Sequence, residues 1–181
     1  MSQRLKVYVA CALTHAPESF IEQVKLFKAA LVGLGDVEIL EFQGKQVGTA
    51  LGVYTYDLRQ VLRCDLLVHL LEYPSDGGGM EIQTAQLFRI PTLALAREST
   101  IVSWMNIGMC QFAPSIGETP YARFERCHHF LLDGVQAVFR YISELRTLRV
   151  LPRPVSHEAR FAEAVRYIGR FYIAVGGTAS R

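Results

Sequence analysis

Cys64-Asp65-Leu66-Leu67-Val68-His69-Leu70-Leu71 and, after Glu72, Tyr73-Pro74-Ser75-Asp76-Gly77-Gly78-Gly79-Met80-Glu81-Ile82-Gln83 are the stretch on which the fold turns. The first eight residues form an apolar run of strand length, the pattern of a strand buried on both faces. Met80–Phe88 reads as a helix, with Gly77-Gly78-Gly79 as the turn before it. Glu81 then falls at the carboxyl edge of a parallel sheet, where open α/β sheets bind ligands. Glycines there let the backbone approach a ligand and present its N–H groups. Two readings of Glu81 stand: a reactive group, or a first-turn acid favoured by the helix dipole.

On the N-terminal side, Leu5–Leu13 supplies the first strand. Phe20, Ile21, Val24, Phe27, Leu31 and Leu34 recur at helical spacing over Ser19–Leu34. Val37–Phe42 is a second strand, Gln43–Gly52 a glycine-punctuated loop, and Val53–Arg63 a second helix. The helix from Glu81 ends near Arg89 and Pro91, and Thr92–Ala96 is a fourth strand. Strands near 5–11, 37–42, 64–71 and 92–96 alternate with helices. That order predicts an open, mostly parallel, doubly wound α/β sheet of Rossmann-like or flavodoxin-like type. Ser99–Gly108 reads as a loop or short helix, and Cys127–Leu148 as a long amphipathic helix. After Leu151-Pro152-Arg153-Pro154, His157–Val175 carries Phe161, Ala164, Val165, Ile168 and Tyr172 on one face. The expected organisation is an α/β domain over 1–148 and a C-terminal helical extension over 149–181.

The 181 residues, half of them hydrophobic and 20% charged, suffice for one sizeable core. A net charge of +2 gives no electrostatic basis for binding nucleic acid or anionic lipid. Cys11, Cys64, Cys110 and Cys127 lack metal-site spacing and read as thiols in a reducing compartment. No apolar run approaches the ~18 residues of a membrane span, and no signal-peptide profile opens the chain. The expected location is cytoplasmic. No Walker A lysine, no G-x-G-x-x-G with a downstream acid and no G-x-S-x-G elbow is present. Three glycines after the third strand do not make a dinucleotide fingerprint, so the expected cofactor and metal sets are empty.

Other polar residues carry open alternatives. Asp57 and Asp65 read as helix-end or solvated charges as well as functional acids. Tyr8 suits a core tyrosine with a satisfied hydroxyl, and His69 a core histidine. His128 and His129 lack ligand partners at useful spacing. Ser75 suits a turn, and Ser103 lies beside Val102, Trp104 and Met105 in a segment able to cover a cleft.

Four blocks in order resemble the nucleoside 2-deoxyribosyltransferase-like superfamily, and most nearly its 2′-deoxynucleoside 5′-monophosphate N-glycosidases. They are Val7-Tyr8-Val9-Ala10, Tyr56-Asp57-Leu58 with Cys64-Asp65, Ser75 through Glu81, and Val102-Ser103-Trp104-Met105 with Gly108. The likeness spans roughly residues 5 to 145. It implies that Glu81 attacks the sugar C1′, that Asp57 holds or protonates the substrate, and that Tyr8 orients Glu81. It also implies that Ser75, Ser103 and the N–H groups of Gly77 and Gly79 receive a 5′-phosphate; His15, in the loop where the family carries a basic residue, reads either as a substitute phosphate contact or as a solvated loop histidine. The implied reaction is hydrolysis of a (deoxy)nucleoside 5′-monophosphate to free base and sugar 5-phosphate. Deoxyribosyl transfer between bases, or nucleotide binding without turnover, are the alternatives. The resemblance further implies a homodimer or higher homo-oligomer in which Ser103 acts in the neighbour's site. The chain departs from the family pattern at Cys11, where a glycine-containing turn is usual, and at Gln83, commonly glycine. It also lacks the usual basic residue in the first loop, with Thr14 and His15 in its place.

Overall fold

The computed structural model describes residues 4–13, 16–41, 50–111, 115–116 and 119–151, together with 159, 162, 163 and 166. Five strands form one sheet: β1 (Leu5–Cys11), β2 (Val37–Leu40), β3 (Leu66–Leu70), β4 (Thr92–Arg97) and β7 (Ala122–Cys127). Their order is β2-β1-β3-β4-β7, and every neighbouring pair is parallel. Strands β5 (Ser115–Ile116) and β6 (Thr119–Pro120) form a separate antiparallel pair.

The helices are α1 (Glu18–Val32), α2 (Ala50–Arg63), α3 (Asp76–Leu87), α4 (Trp104–Gln111) and α5 (Val135–Thr147). A π-helical turn, Phe130–Gly134, leads into α5. Successive strand residues point to opposite faces, and each face has its own core. Val7, Val9, Val68 and Leu95 pack with Phe20, Val24, Phe27 and Leu31 of α1 and Val138, Tyr141 and Leu145 of α5. Tyr8, Ala10, Leu67 and Ala94 pack with Val61 and Leu62 of α2, Ile82 and Ala85 of α3 and Cys110 of α4. Each large apolar side chain fully buried this way contributes about 1.5–3 kcal/mol of transfer free energy. The open, doubly wound α/β fold read from the strand–helix alternation is the fold found.

The chain leaves β1 toward β2 and then returns to lay β3, β4 and β7 on the other side. The connections therefore diverge between β1 and β3, which opens a crevice at the carboxyl ends of those two strands.

Two expectations are corrected. Cys127–Leu148 is not one helix: Ala122–Cys127 is the fifth strand, paired with β4 from Thr92↔Ala122 to Arg97↔Cys127. Its sequence, Ala-Arg-Phe-Glu-Arg-Cys, hides it, because an edge strand carries its charges in ion pairs rather than in an apolar run. Arg123 pairs with Glu144 at 2.6 Å and Arg140 with Glu125 at 3.3 Å. The glycines, too, are not a turn before a helix. Helix α3 begins at Asp76, because the Ser75 Oγ accepts the Gly78 N–H at 3.1 Å and caps it. That cap satisfies one of the four orphan donors of a helix start and offsets the low helix propensity of glycine.

None of the four cysteines is in a disulfide. Asp65 is buried rather than solvated and accepts the Lys6 N–H at 2.9 Å, at the opposite sheet edge from the crevice. Among the described residues no helix is long and apolar enough to cross a membrane. Of the helix expected over His157–Val175 only Ala159, Ala162, Glu163 and Arg166 are described, each helical, and most of the Gln43–Gly52 loop lies outside the described residues.

Candidate active site

A cavity of about 430 Å³ opens in the crevice, lined by the end of β1 from Tyr8 to Leu13, by Lys28, Val53 and Asp57, and by Pro74–Gly78 with Glu81. That volume suits a ligand of nucleotide size.

Tyr8 projects from the middle of β1 toward α3, and Glu81 lies in the second turn of that helix and faces back. The Tyr8 hydroxyl donates to Glu81 Oε1 at 3.0 Å. Burial raises the Glu81 carboxyl to about 7; the Tyr8 hydrogen bond opposes the rise and the charge of Asp57 adds to it. Burial likewise pushes Asp57 up to about 6, and its Oδ1 is buried with no hydrogen-bond partner. The Tyr8 phenol is driven far above its ordinary value by burial and then by the Glu81 and Asp57 charges. It therefore keeps its proton and acts as a donor to Glu81. Cys11 adds a neutral thiol, raised to about 11 by burial.

The α3 N-terminus forms another wall. Gly77 is exposed at the mouth, and Ser75 is committed as the helix cap. Gly78 is buried against His69: a Cβ there would stand 2.4 Å from the imidazole Cε1. Only glycine lets α3 descend this close to β3. His69 is a core residue, pushed down to about 4 by burial and so neutral beneath the helix start.

The fold thus brings Tyr8, Asp57, Ser75, Gly77 and Glu81 around one cavity. Gly79 is not on its lining; its N–H donates to the Ser75 carbonyl at 3.3 Å, and a Cβ there would face Asn106 at 3.7 Å. Ser103 is also off the lining, exposed at the start of α4 with its Oγ accepting the Met105 N–H at 3.3 Å. His15 lies outside the described residues.

One cavity residue was not singled out from the sequence. Lys28 is 6% exposed and pairs with Glu41 Oε2 at 3.0 Å. Its signal was positional: Lys28 stands four residues after Val24 and three before Leu31, on the apolar stripe of α1. A lysine on a buried stripe needs a partner, and Glu41 supplies it.

No family model matches the chain, and no curated protein matches it in sequence. Solved structures do. The Clostridium botulinum CMP N-glycosidase BcmB, 16% identical, superposes with a TM-score of 0.56 over 75% of this chain and 98% of its own. The Francisella novicida lysine decarboxylase LdcF, 7% identical, gives 0.52 over 87% of this chain and 19% of its own. A 2-deoxyribosyltransferase of Bacillus psychrosaccharolyticus, 16% identical, gives 0.45 over 59% and 80%. The chain shares the α/β architecture of BcmB across nearly all of that protein. Because LdcF contains the same architecture, the chemistry must be argued from side chains.

Proposed function

We propose that this chain is an N-glycosidase of the nucleoside 2-deoxyribosyltransferase-like type, acting on a (deoxy)nucleoside 5′-monophosphate. The observation that carries this is the Tyr8–Glu81–Asp57 group. It is a buried carboxyl oriented by a phenol, beside a second carboxyl with an unpartnered oxygen, and among the described residues neither pairs with a cation.

Cleavage of the C1′–N bond leaves positive charge on the sugar. Glu81 as carboxylate attacks C1′ and forms a glycosyl ester, while the bond electrons leave with the base. Asp57, whose raised value keeps it partly protonated near pH 6, gives its proton to the departing base. Water then attacks C1′, loses a proton to Asp57 and frees Glu81. The net reaction is nucleotide plus water to base plus sugar 5-phosphate. The N-terminus of α3 at Gly77 and Gly78 favours the phosphate electrostatically.

A second copy of the chain completes the proposal. Ser103 is exposed and flanked by Ile101, Trp104 and Met105, which are 98%, 86% and 74% exposed. A homodimer would cover this apolar surface and carry Ser103 to the partner's phosphate.

The test is base release, followed by chromatography, from ribo- and deoxyribonucleoside 5′-monophosphates and their nucleosides, with wild type and Glu81→Ala. Release from nucleotides, lost in the variant and declining per subunit on dilution, is the expected result. Exchange only when a second base is added would make the protein a transferase. Binding without release, unaffected by Glu81→Ala, would make it a nucleotide-binding module.

A further inference from the structure

We propose that Lys28, held by Glu41, sets which base the cavity accepts, by donating to an exocyclic keto oxygen at the far edge of that base. The inference rests on the reading of Glu81 as the group beneath C1′.

The parts of the cavity are laid out in order across the sheet. Glu41 directly follows β2, Tyr8 lies on β1, and the Ser75–Glu81 segment follows β3; β1 is the middle strand of the three. Lys28 reaches the cavity from α1, on the face of the sheet opposite α3, and its partner Glu41 follows β2, so the anion-favouring start of α3 and Lys28 stand on different walls. Glu81 reaches back from α3 to Tyr8 between them. The Cys11 thiol lies within electrostatic range of both Lys28 and Glu81. A nucleotide is linear in the same sense: phosphate, sugar, base. With phosphate at the α3 start and C1′ over Glu81, the base extends toward Lys28.

Lys28 is built for such a contact. Its stem packs on the apolar stripe of α1, and its ammonium is buried at the cavity wall. Glu41 is 55% exposed and anchors the ammonium from the solvent side. The Glu41 carbonyl is itself held by the Tyr56 hydroxyl at 2.7 Å, tying this corner to α2. An ammonium has three donors and no acceptor. With one donor on Glu41, the others can serve a keto oxygen but have nothing to offer an exocyclic amino group. A buried donor left unpaired is penalised, which is how such sites discriminate.

The experiment compares uridine with cytidine and inosine with adenosine 5′-monophosphates, in wild type, Lys28→Met and Lys28→Arg. Methionine suits the apolar stripe of α1, so the fold should hold; thermal unfolding checks it. The expected result is a loss of roughly 10- to 100-fold in kcat/KM for the keto member of each pair in Lys28→Met, partly restored in Lys28→Arg. The amino members change by less than about threefold, and inhibition by ribose 5-phosphate is unchanged. Equal losses for all four nucleotides with weaker inhibition by the sugar phosphate would put the phosphate on Lys28 and overturn the proposal. Unchanged preference in both pairs would reduce Lys28 to a strap between α1 and β2. Equilibrium binding of the same four nucleotides reads the preference without turnover. A chain that releases no base would thus sink the glycosidase reading, and binding would still show whether Lys28 selects the keto member.

Discussion

Glu72 and Glu81 stand at the same edge of the sheet, one just after β3 and the other in the helix that follows, yet their surroundings give them opposite characters. Glu72 receives Arg97 Nε at 2.6 Å and the Thr100 hydroxyl at 2.6 Å. Burial alone would raise its carboxyl, but these hydrogen bonds and the guanidinium charge hold it below its ordinary value. Arg126 then donates to the carbonyls of Arg97, Glu98 and Thr100, locking the segment that leads to Ser103. Glu81 receives a phenol, faces a second carboxyl and rises to about 7. A carboxylate supplied with a cation becomes structure; one denied a cation keeps its reactivity.

The largest expected difference between the two is in chemistry. Glu81→Gln should lower base release by at least ~10³-fold with the fold intact, because the attacking oxygen is gone. Glu72→Gln should leave base release within about tenfold and instead cost about 1–3 kcal/mol in urea unfolding, since Arg97 loses its counter-charge. A Glu72 variant that is stable but inactive would break the contrast.

A middling effect is expected at Tyr8. Its hydrogen bond favours the ionised Glu81, so Tyr8→Phe should raise the Glu81 carboxyl further and shrink the fraction of enzyme with Glu81 ionised and Asp57 protonated. The rate at neutral pH should fall by roughly tenfold, with less change at pH 9. A loss of the same size at pH 7 and pH 9 would mean that Glu81 is not the group titrating.

The smallest effect is in stability against pH. Folded Glu81 holds its proton to about 7, against an ordinary 4.5, so the folded state binds the extra proton and loses stability as pH rises through that window. Glu72 has the opposite sign: its contribution is present above its unfolded value and is lost as pH falls. The Tm difference between Glu81→Gln and wild type should therefore favour the variant more at pH 8 than at pH 4. A difference independent of pH would contradict the raised carboxyl.

How far the sequence could be read depended on how each element is buried. Strands β3 and β4 lie inside the sheet with both faces covered, so Leu-Leu-Val-His-Leu and Thr-Leu-Ala-Leu-Ala announce themselves. Strand β7 pairs on one side only, and its arginines and glutamate mask the strand pattern. The start of α3 was hidden because glycine propensity argues against a helix, whereas the deciding contact is the single cap from Ser75. Within the site, the strand–glycine–helix order placed Glu81 at the carboxyl edge of the sheet, whereas Tyr8, by itself a core tyrosine, was marked only by the family resemblance. Lys28 was not, because its partner Glu41 comes from another element and no local spacing encodes that pair.

The His69 ring, pressed beneath Gly78 at the first turn of α3, gives the protein a built-in reporter. Its value of about 4 keeps it uncharged across the neutral range, so its proton resonances should stay still as pH is varied there. The His69 resonances would move only when the helix start above the ring is disturbed. An anion arriving at Gly77 should therefore be visible in the spectrum of a residue that never touches it.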